Sequence, residues 1–355
     1  MKKFFAFAIA AATMAVGCQK IQDLVNPNHK QTVGEDELVE IKFSSNVVTA
    51  EVHGTKSIDD LKEAVSVQVY GLNDADVTVT GDKRRELIDV TATVGVEREA
   101  AEPYTLSLAD AAFYHASAKY SFYGYFLNGA TITGDPKTKY AEALPLKITG
   151  KEDVLLAKGD DNGNYSAVKA RDNKDVSLTF KHALSKFTFK AANLGKSKMT
   201  LGNVVVTAPL EGTVTLTGEG QGCVAGTTTG TINLDTQDLE MESQAGVVEG
   251  SLNYVPVNNT AGEAVVEALV FPAAQDAKTI TLSFELSQTT TGGATETRWI
   301  SYDVENAILA NTHYTFEVKF YSLTEIKIKA TLAPWGTETI EVNTDNLEDV
   351  DSPLA

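Results

Sequence analysis

Val176-Ser-Leu-Thr-Phe-Lys-His-Ala-Leu-Ser-Lys186 opens with a strict alternation of apolar and polar side chains. Val176, Leu178 and Phe180 fall on one side of an extended chain, and Ser177 and Thr179 on the other. A period of two with one dry and one wet face is the pattern of an antiparallel sheet. The same period appears on either side of this stretch. Val65, Val67 and Val69 alternate with Ser66, Gln68 and Tyr70. Ile280, Leu282, Phe284 and Leu286 alternate with Thr281, Ser283 and Glu285, and Tyr314, Phe316, Val318 and Phe320 with Thr315, Glu317 and Lys319. Ile326 and Ile328 alternate with Lys327 and Lys329. Gly- and Asn-containing turns separate the runs, and Thr is abundant, as β-sandwiches favour. Helical signals are confined to Ser57–Ala64, with Ser57 as N-cap, and to Leu108–Tyr120. An all-β protein with little helix is expected.

The length of 355 residues suits about two domains. Lys169-Ala-Arg-Asp-Asn-Lys-Asp175 is charged and poor in apolar residues, so it is read as the boundary, giving domains 38–172 and 173–355. Val77-Thr-Val-Thr-Gly81 and Val214-Thr-Leu-Thr-Gly218 look alike but are too short to establish a repeat.

Ahead of the first domain, Lys2 and Lys3 precede an apolar run from Phe4 to Val16, and Ala15-Val16-Gly17 leads into Cys18. The run falls below the ~20 residues a membrane-spanning helix needs, so residues 1–17 read as a signal peptide. Small residues directly before a cysteine resemble a bacterial lipobox, in which the thiol of Cys18 would carry lipid. An ordinary secretory signal cut near Ala15 is the alternative. Residues 18–37 are polar, broken by Pro27 and Gly34, and read as a spacer. Gln19 is not the Asp associated with inner-membrane retention, which favours the outer membrane.

A net charge of −18 repels nucleic acid and anionic headgroups, so neither is expected as an electrostatic partner. With Cys18 lipidated, the other cysteine, Cys223, has no partner for a disulfide, and the fold must rest on its core. Cys223 sits in a turn-like Gly-Gln-Gly-Cys-Val-Ala-Gly setting without a nearby His, which argues against a catalytic thiol.

Candidate chemistry is sparse. The five histidines (His29, His53, His115, His182, His313) are scattered, and none has a His or Cys at zinc-ligand spacing. There is no Walker loop, nucleophile elbow or HExxH sequence. Gly218-Glu-Gly-Gln-Gly222 lacks the strand–helix setting of a dinucleotide site and reads as a loop. Gly159-Asp-Asp-Asn-Gly-Asn164 offers carboxylates for calcium without EF-hand spacing, and reads as a solvated turn. Asp345, Glu348, Asp349 and Asp351 form an acidic tail. Trp299 and Trp335 suit either sugar stacking or a β-sandwich core. No catalytic constellation, metal or cofactor is expected.

Four segments together resemble the fimbrillin family, the lipoprotein subunits of type V pili. They are Val39-Glu-Ile-Lys-Phe-Ser-Ser45 followed by Thr55-Lys56, the aromatic Tyr120-Ser-Phe-Tyr-Gly-Tyr-Phe126, the Phe180-Lys-His-Ala-Leu-Ser-Lys186 core, and Asn311-Thr-His-Tyr-Thr-Phe-Glu-Val318 with Ala333-Pro-Trp335. The resemblance implies two tandem transthyretin-like β-sandwich domains and assembly by strand exchange. A trypsin-like maturation protease would cut after a basic residue, here Lys56, and release the first strand, Leu38–Val48. Family members commonly present Arg at this step. Lys83-Arg84-Arg85 is a second basic site, ranked lower because cutting there would also remove the strand at Val65–Tyr70. The donor for the next subunit would be Thr337-Glu-Thr-Ile-Glu-Val342, with Thr337, Thr339, Ile340 and Val342 in alternation, or that segment is simply the last strand of its own domain. His182 and Lys186 read as packing residues.

The function expected is therefore a non-enzymatic fimbrial subunit at the cell surface. It would be held to the outer membrane by its N-terminal lipid, partnered by other subunits and by a host or bacterial surface ligand, and would serve adhesion or biofilm formation. The alternative is a monomeric outer-membrane glycan-binding lipoprotein of a polysaccharide-uptake system.

Overall fold

The computed structural model describes residues 38–47, 65–73, 87–94, 104–108, 110–115, 118–172, 175–257, 266–275, 277–290, 292–334, 340–344 and 348–349. The first half contains β1 (Val39–Glu40), β2 (Phe43–Val47), β3 (Val65–Asn73), β4 (Leu87–Val94), β5 (Tyr104–Leu108) and β6 (Phe113–Tyr114). It continues with β7 (Tyr120–Asn128), β8 (Thr131–Ile132), β9 (Ala143–Lys147), β10 (Asp153–Gly159), α1 (Ala167–Arg171) and β11 (Val176–His182). The second half contains β12 (Ser185–Asn193), β13 (Met199–Pro209), β14 (Glu211–Thr215), β15 (Gly222–Ala225), β16 (Thr229–Met241), β17 (Val255–Pro256) and β18 (Glu267–Val270). It ends with β19 (Thr281–Thr289), β20 (Thr295–Asp303), β21 (Thr312–Ser322), β22 (Glu325–Pro334), β23 (Ile340–Thr344) and β24 (Glu348–Asp349). The all-β class read from the alternating runs is the class observed.

In the first half, β10, β11, β2, β5, β4, β3 and β7 hydrogen-bond in that order and close into a barrel. Its interior is apolar, with Val69, Phe122, Leu155, Leu178 and Phe180 all buried. The Phe180 ring reaches across Ala157 of β10 so close to β7 that a Cβ on Gly124 would lie 2.8 Å from it, so glycine is needed for the approach. The second half is an open sandwich. One sheet runs β17-β12-β21-β22-β23, with β18 also on β12, and the other runs β16-β13-β19-β20-β24. Their inner faces interdigitate through aromatics: Phe284 of the second sheet meets Phe189 at 6.2 Å and Phe320 at 5.9 Å of the first, both edge-on.

A third sheet, β15-β14-β9-β8, takes two strands from each half and ties them together. Beneath it lies a separate apolar core that includes Tyr70, Tyr123, Val154, Leu184, Val214 and Phe271. This seam explains why β7 and β10 do not alternate like the other strands. Tyr120 and Phe122 enter the barrel core while Tyr123 enters the seam, and Leu155 faces the barrel while Val154 and Leu156 face the seam. Both faces are dry, so both are apolar.

Two expectations change. Leu108–Tyr120 is not a helix: β5 ends at Leu108, Phe113–Tyr114 is a strand paired with β1, and Tyr120 starts β7. Tyr114 is buried in the barrel while Phe113 faces out, a period of two that overrides the helical propensity of the alanines. The sheet boundary also falls later than 172/173. β11 pairs with β10 and β2 inside the barrel, and sheet membership changes at Ala183–Leu184, between β11 and β12. The charged segment instead carries α1, capped by the Ser166 hydroxyl accepting from the Lys169 N–H. Ser57–Ala64 and Val77–Gly81 lie outside the described residues.

Candidate functional site

β2 is inserted between two strands that are remote from it in sequence. It runs parallel to β11, with Phe43 opposite Val176 and Val47 opposite Phe180, and antiparallel to β5, with Phe43 opposite Leu106. On that rung the three inward side chains are all buried. The Phe43 ring stands edge-on to Phe122, with centroids 5.3 Å apart and planes at 88°. Ile41, also buried, donates its N–H to the Ala112 carbonyl at 2.8 Å, and the Val176 N–H donates to the Lys42 carbonyl at 2.8 Å. β1 continues the attachment through Val39 opposite Tyr114. β2 therefore fills a slot in the barrel wall, and Ile41 and Phe43 supply part of its core. Lys56 lies in the segment between β2 and β3, outside the described residues.

β23 lies at the other extreme of the chain and of its sheet. It pairs antiparallel with β22, from Ile340 opposite Leu332 to Thr344 opposite Ile328, and is the last strand of that sheet among the described residues. β24 pairs with β20, placing Asp349 opposite Ile300 and Glu348 opposite Ser301. The C-terminal segment thus adds a marginal strand to each sheet of the sandwich, and two residues of the acidic tail take part in a ladder. Of the donor candidates, Ile340 and Val342 are in β23; Thr337, Thr339 and the lipidation candidate Cys18 lie outside the described residues.

Phe180–Lys186 crosses the seam. Phe180 sits in the barrel core, and Ala183 and Leu184 in the seam core. The His182 Nδ1 is 2.8 Å from Asp153 Oδ2 and 3.1 Å from Oδ1, with both side chains fully buried. Its backbone N–H donates to Asn311 Oδ1 at 3.1 Å. Lys186 is opposite Leu269 in the β12–β18 ladder and forms a buried ion pair with Glu267 at 2.9 Å. His182 and Lys186 are thus packing residues with charged partners. Sequence reasoning missed those partners, although Glu267 is an isolated acid in the apolar run 264–271; Asp153 follows Lys151 and Glu152 and carries no such signal.

The remaining candidates have structural partners. In the 159–164 turn, Tyr165 donates to Asp160, Lys169 pairs with Asp161 at 2.8 Å, and Asn162 Oδ1 accepts from the Phe122 N–H at 2.8 Å. Burial, then the Asp160 contact, raises the Tyr165 hydroxyl above the usual phenol range. Burial pushes the Cys223 thiol up to about 12, away from a reactive thiolate. His313 contacts the Thr188 hydroxyl at 2.8 Å, and Trp299 is half-buried in β20 opposite Glu285. Among the described residues no three His, Cys, Asp or Glu side chains gather in a metal-binding group.

Residues 55–335 match a family model described as fimbrillin-like, so the matched region begins after β2 and ends before β23. No curated protein matches the chain. Several solved structures resemble it. A candidate cell adhesion protein from Bacteroides uniformis is 17% identical, with 85% of this chain and 100% of that chain covered and a TM-score of 0.48. A fimbrial assembly protein from Parabacteroides distasonis is 9% identical, with coverages of 86% and 100% and a TM-score of 0.41. The fimbrial anchor protein Mfa2 from Porphyromonas gingivalis is 9% identical, with coverages of 85% and 99% and a TM-score of 0.31. Because the family model spans well over half of the sequence, this chain belongs to the fimbrillin-like family.

Proposed function

We propose that this protein is a structural, non-enzymatic subunit of a cell-surface fimbria. It is exported as a precursor lipidated at Cys18 and held at the outer membrane. A trypsin-like protease then cuts at Lys56, releases the first strand and lets a strand from another subunit take its place. The assembled fimbria serves adhesion or biofilm formation. The observation that carries this reading is the seat of β2, a strand hydrogen-bonded on both sides at the very start of the fold. Taking it out leaves backbone groups of β5 and β11 unpaired and an apolar slot open, and an extended segment of another chain satisfies both needs. Each subunit then receives at one site and gives from another, so the contact is head-to-tail and does not close. In the proposed sequence β23 is the strand that is given, since among the described residues it ends its sheet and pairs with β22 alone.

The test uses protein lacking residues 1–18, treated briefly with a lysine-specific protease. Mass spectrometry identifies the new N-terminus, and unheated denaturing gels with electron microscopy follow assembly. A cut after Lys56 followed by ladders or filaments is the expected result. A cut protein that sheds its first strand and stays monomeric overturns the polymerising role.

A further inference from the structure

The β2 slot carries a size requirement that the chain's own C-terminal segment does not meet. Two consecutive inward residues of the seated segment, Ile41 and Phe43, are buried, and Phe43 fills the space between Val176, Leu106 and the Phe122 ring. An aromatic ring there completes a chain of edge-on contacts, because Phe122 also meets Tyr114 at 6.2 Å and Tyr165 at 5.3 Å. Beyond Trp335 the sequence contains no aromatic residue, and its one pair of apolar residues at i and i+2 is Ile340 and Val342. Seated in either direction, that pair puts a β-branched aliphatic side chain where the slot holds a phenyl ring. The shortfall is about three carbons with Ile340 and about four with Val342 in a dry, close-packed site, which corresponds to on the order of 100-fold in affinity.

We infer that the slot selects an extended segment with an aromatic residue at the Phe43 position, and so accepts the donor of a different subunit in preference to the tail of a second copy of this chain. Phe122 is the residue that reads the incoming ring. The inference rests on the strand-exchange reading above and adds to it the identity of the partner: a non-identical chain with an aromatic at one fixed position.

The experiment uses the full chain with a site-specific protease sequence replacing residues 53–58, in the connection between β2 and β3. After cleavage, and with departure of the first strand followed by mass spectrometry, three fluorescent peptides are titrated by anisotropy. They are residues 39–47, the same peptide with Phe43→Val, and residues 337–345. Because only the peptide changes, the folding of the protein is not perturbed. The expected order is tight binding of the first, on the order of 100-fold weaker binding of the second, and binding of the third no tighter than the second. Equal affinities for the phenylalanine and valine peptides, or tighter binding of 337–345, overturn the selectivity and leave strand replacement standing. A slot that empties and then binds none of the three overturns both.

Discussion

Breaking the buried Lys186–Glu267 pair one partner at a time, and then both together, tests whether the distinctive Phe180–Lys186 segment works through its charge or only through its packing. The two groups lie 2.9 Å apart, with side chains 1% and 7% exposed. Removing one member of a buried ion pair takes away the closest compensation of the other's charge, so Lys186→Met is expected to cost about 3–5 kcal/mol. Glu267→Gln strands the ammonium in the same way and is expected to cost a similar amount, about 3 kcal/mol. The double variant removes both charges and keeps the volume, so it is expected within about 1 kcal/mol of the parent, a coupling of several kcal/mol. The assay is urea unfolding by linear extrapolation, read by tryptophan fluorescence, with unchanged slopes across the four proteins. Trp299 lies in the same half of the molecule and reports on it. If the losses of the single variants simply add in the double, the two residues are not coupled and the argument fails.

Three further outcomes follow from the same geometry. Phe43→Ala is expected to cost about 3–5 kcal/mol, and amide exchange should quicken in β2, β5 and β11 before it does in the C-terminal sandwich; uniform quickening would count against a local slot. Gly124→Ala puts a methyl group 2.8 Å from the Phe180 ring and is expected to destabilise by about 1–3 kcal/mol, an effect that Phe180→Leu should partly relieve. Cys223 has a thiol raised by burial in the fold, so its contribution to stability is complete below the unfolded value near ~8.5 and is lost as pH climbs towards the folded one. Iodoacetamide at neutral pH should therefore label it only after denaturation, and Cys223→Ala should flatten the loss of stability between about pH 9 and 12; rapid labelling of the native chain would refute this.

The strands legible in the sequence are those with one wet face. β21 alternates because Tyr314, Phe316, Val318 and Phe320 enter the sandwich core while their neighbours are less buried. β10 shows no such period, because Val154 and Leu156 are buried in the seam as deeply as Leu155 and Ala157 are in the barrel. The same seam conceals the change of sheet. A search for a polar linker stops at residues 169–175, whose charges are used locally, as in Lys169 with Asp161. The chain actually changes sheets through Ala183 and Leu184, which are apolar because the two halves share a core there. The first strand is legible from Ile41 and Phe43; its parallel register with β11 is not, since nothing local to residues 43–47 specifies a partner at 176–180. Glu267 escapes for the same reason, since a lone acid in an apolar run has meaning only beside the base the fold brings to it, and Asp153 is hidden further by its charged neighbours Lys151 and Glu152.

If subunits join as proposed, the placement of β2 also limits the order of the steps. A barrel wall with one strand missing has an unpaired edge on each side of the gap and loses the rung of Phe43, Val176 and Leu106 together with the ring contact to Phe122. Burial of one such aromatic alone contributes about 2–3 kcal/mol, and Ile41 adds a comparable amount, against a total stability of about 5–15 kcal/mol for an ordinary domain. An emptied barrel is thus a high-energy species that favours capture of an extended apolar segment. Removal of β23, by contrast, breaks a single ladder among the described residues, that with β22. The β2 slot is therefore costly to vacate and β23 cheap to release. In the proposed assembly, cutting near Lys56 therefore governs when a subunit can join, and the fit at the Phe43 position governs which subunit joins it.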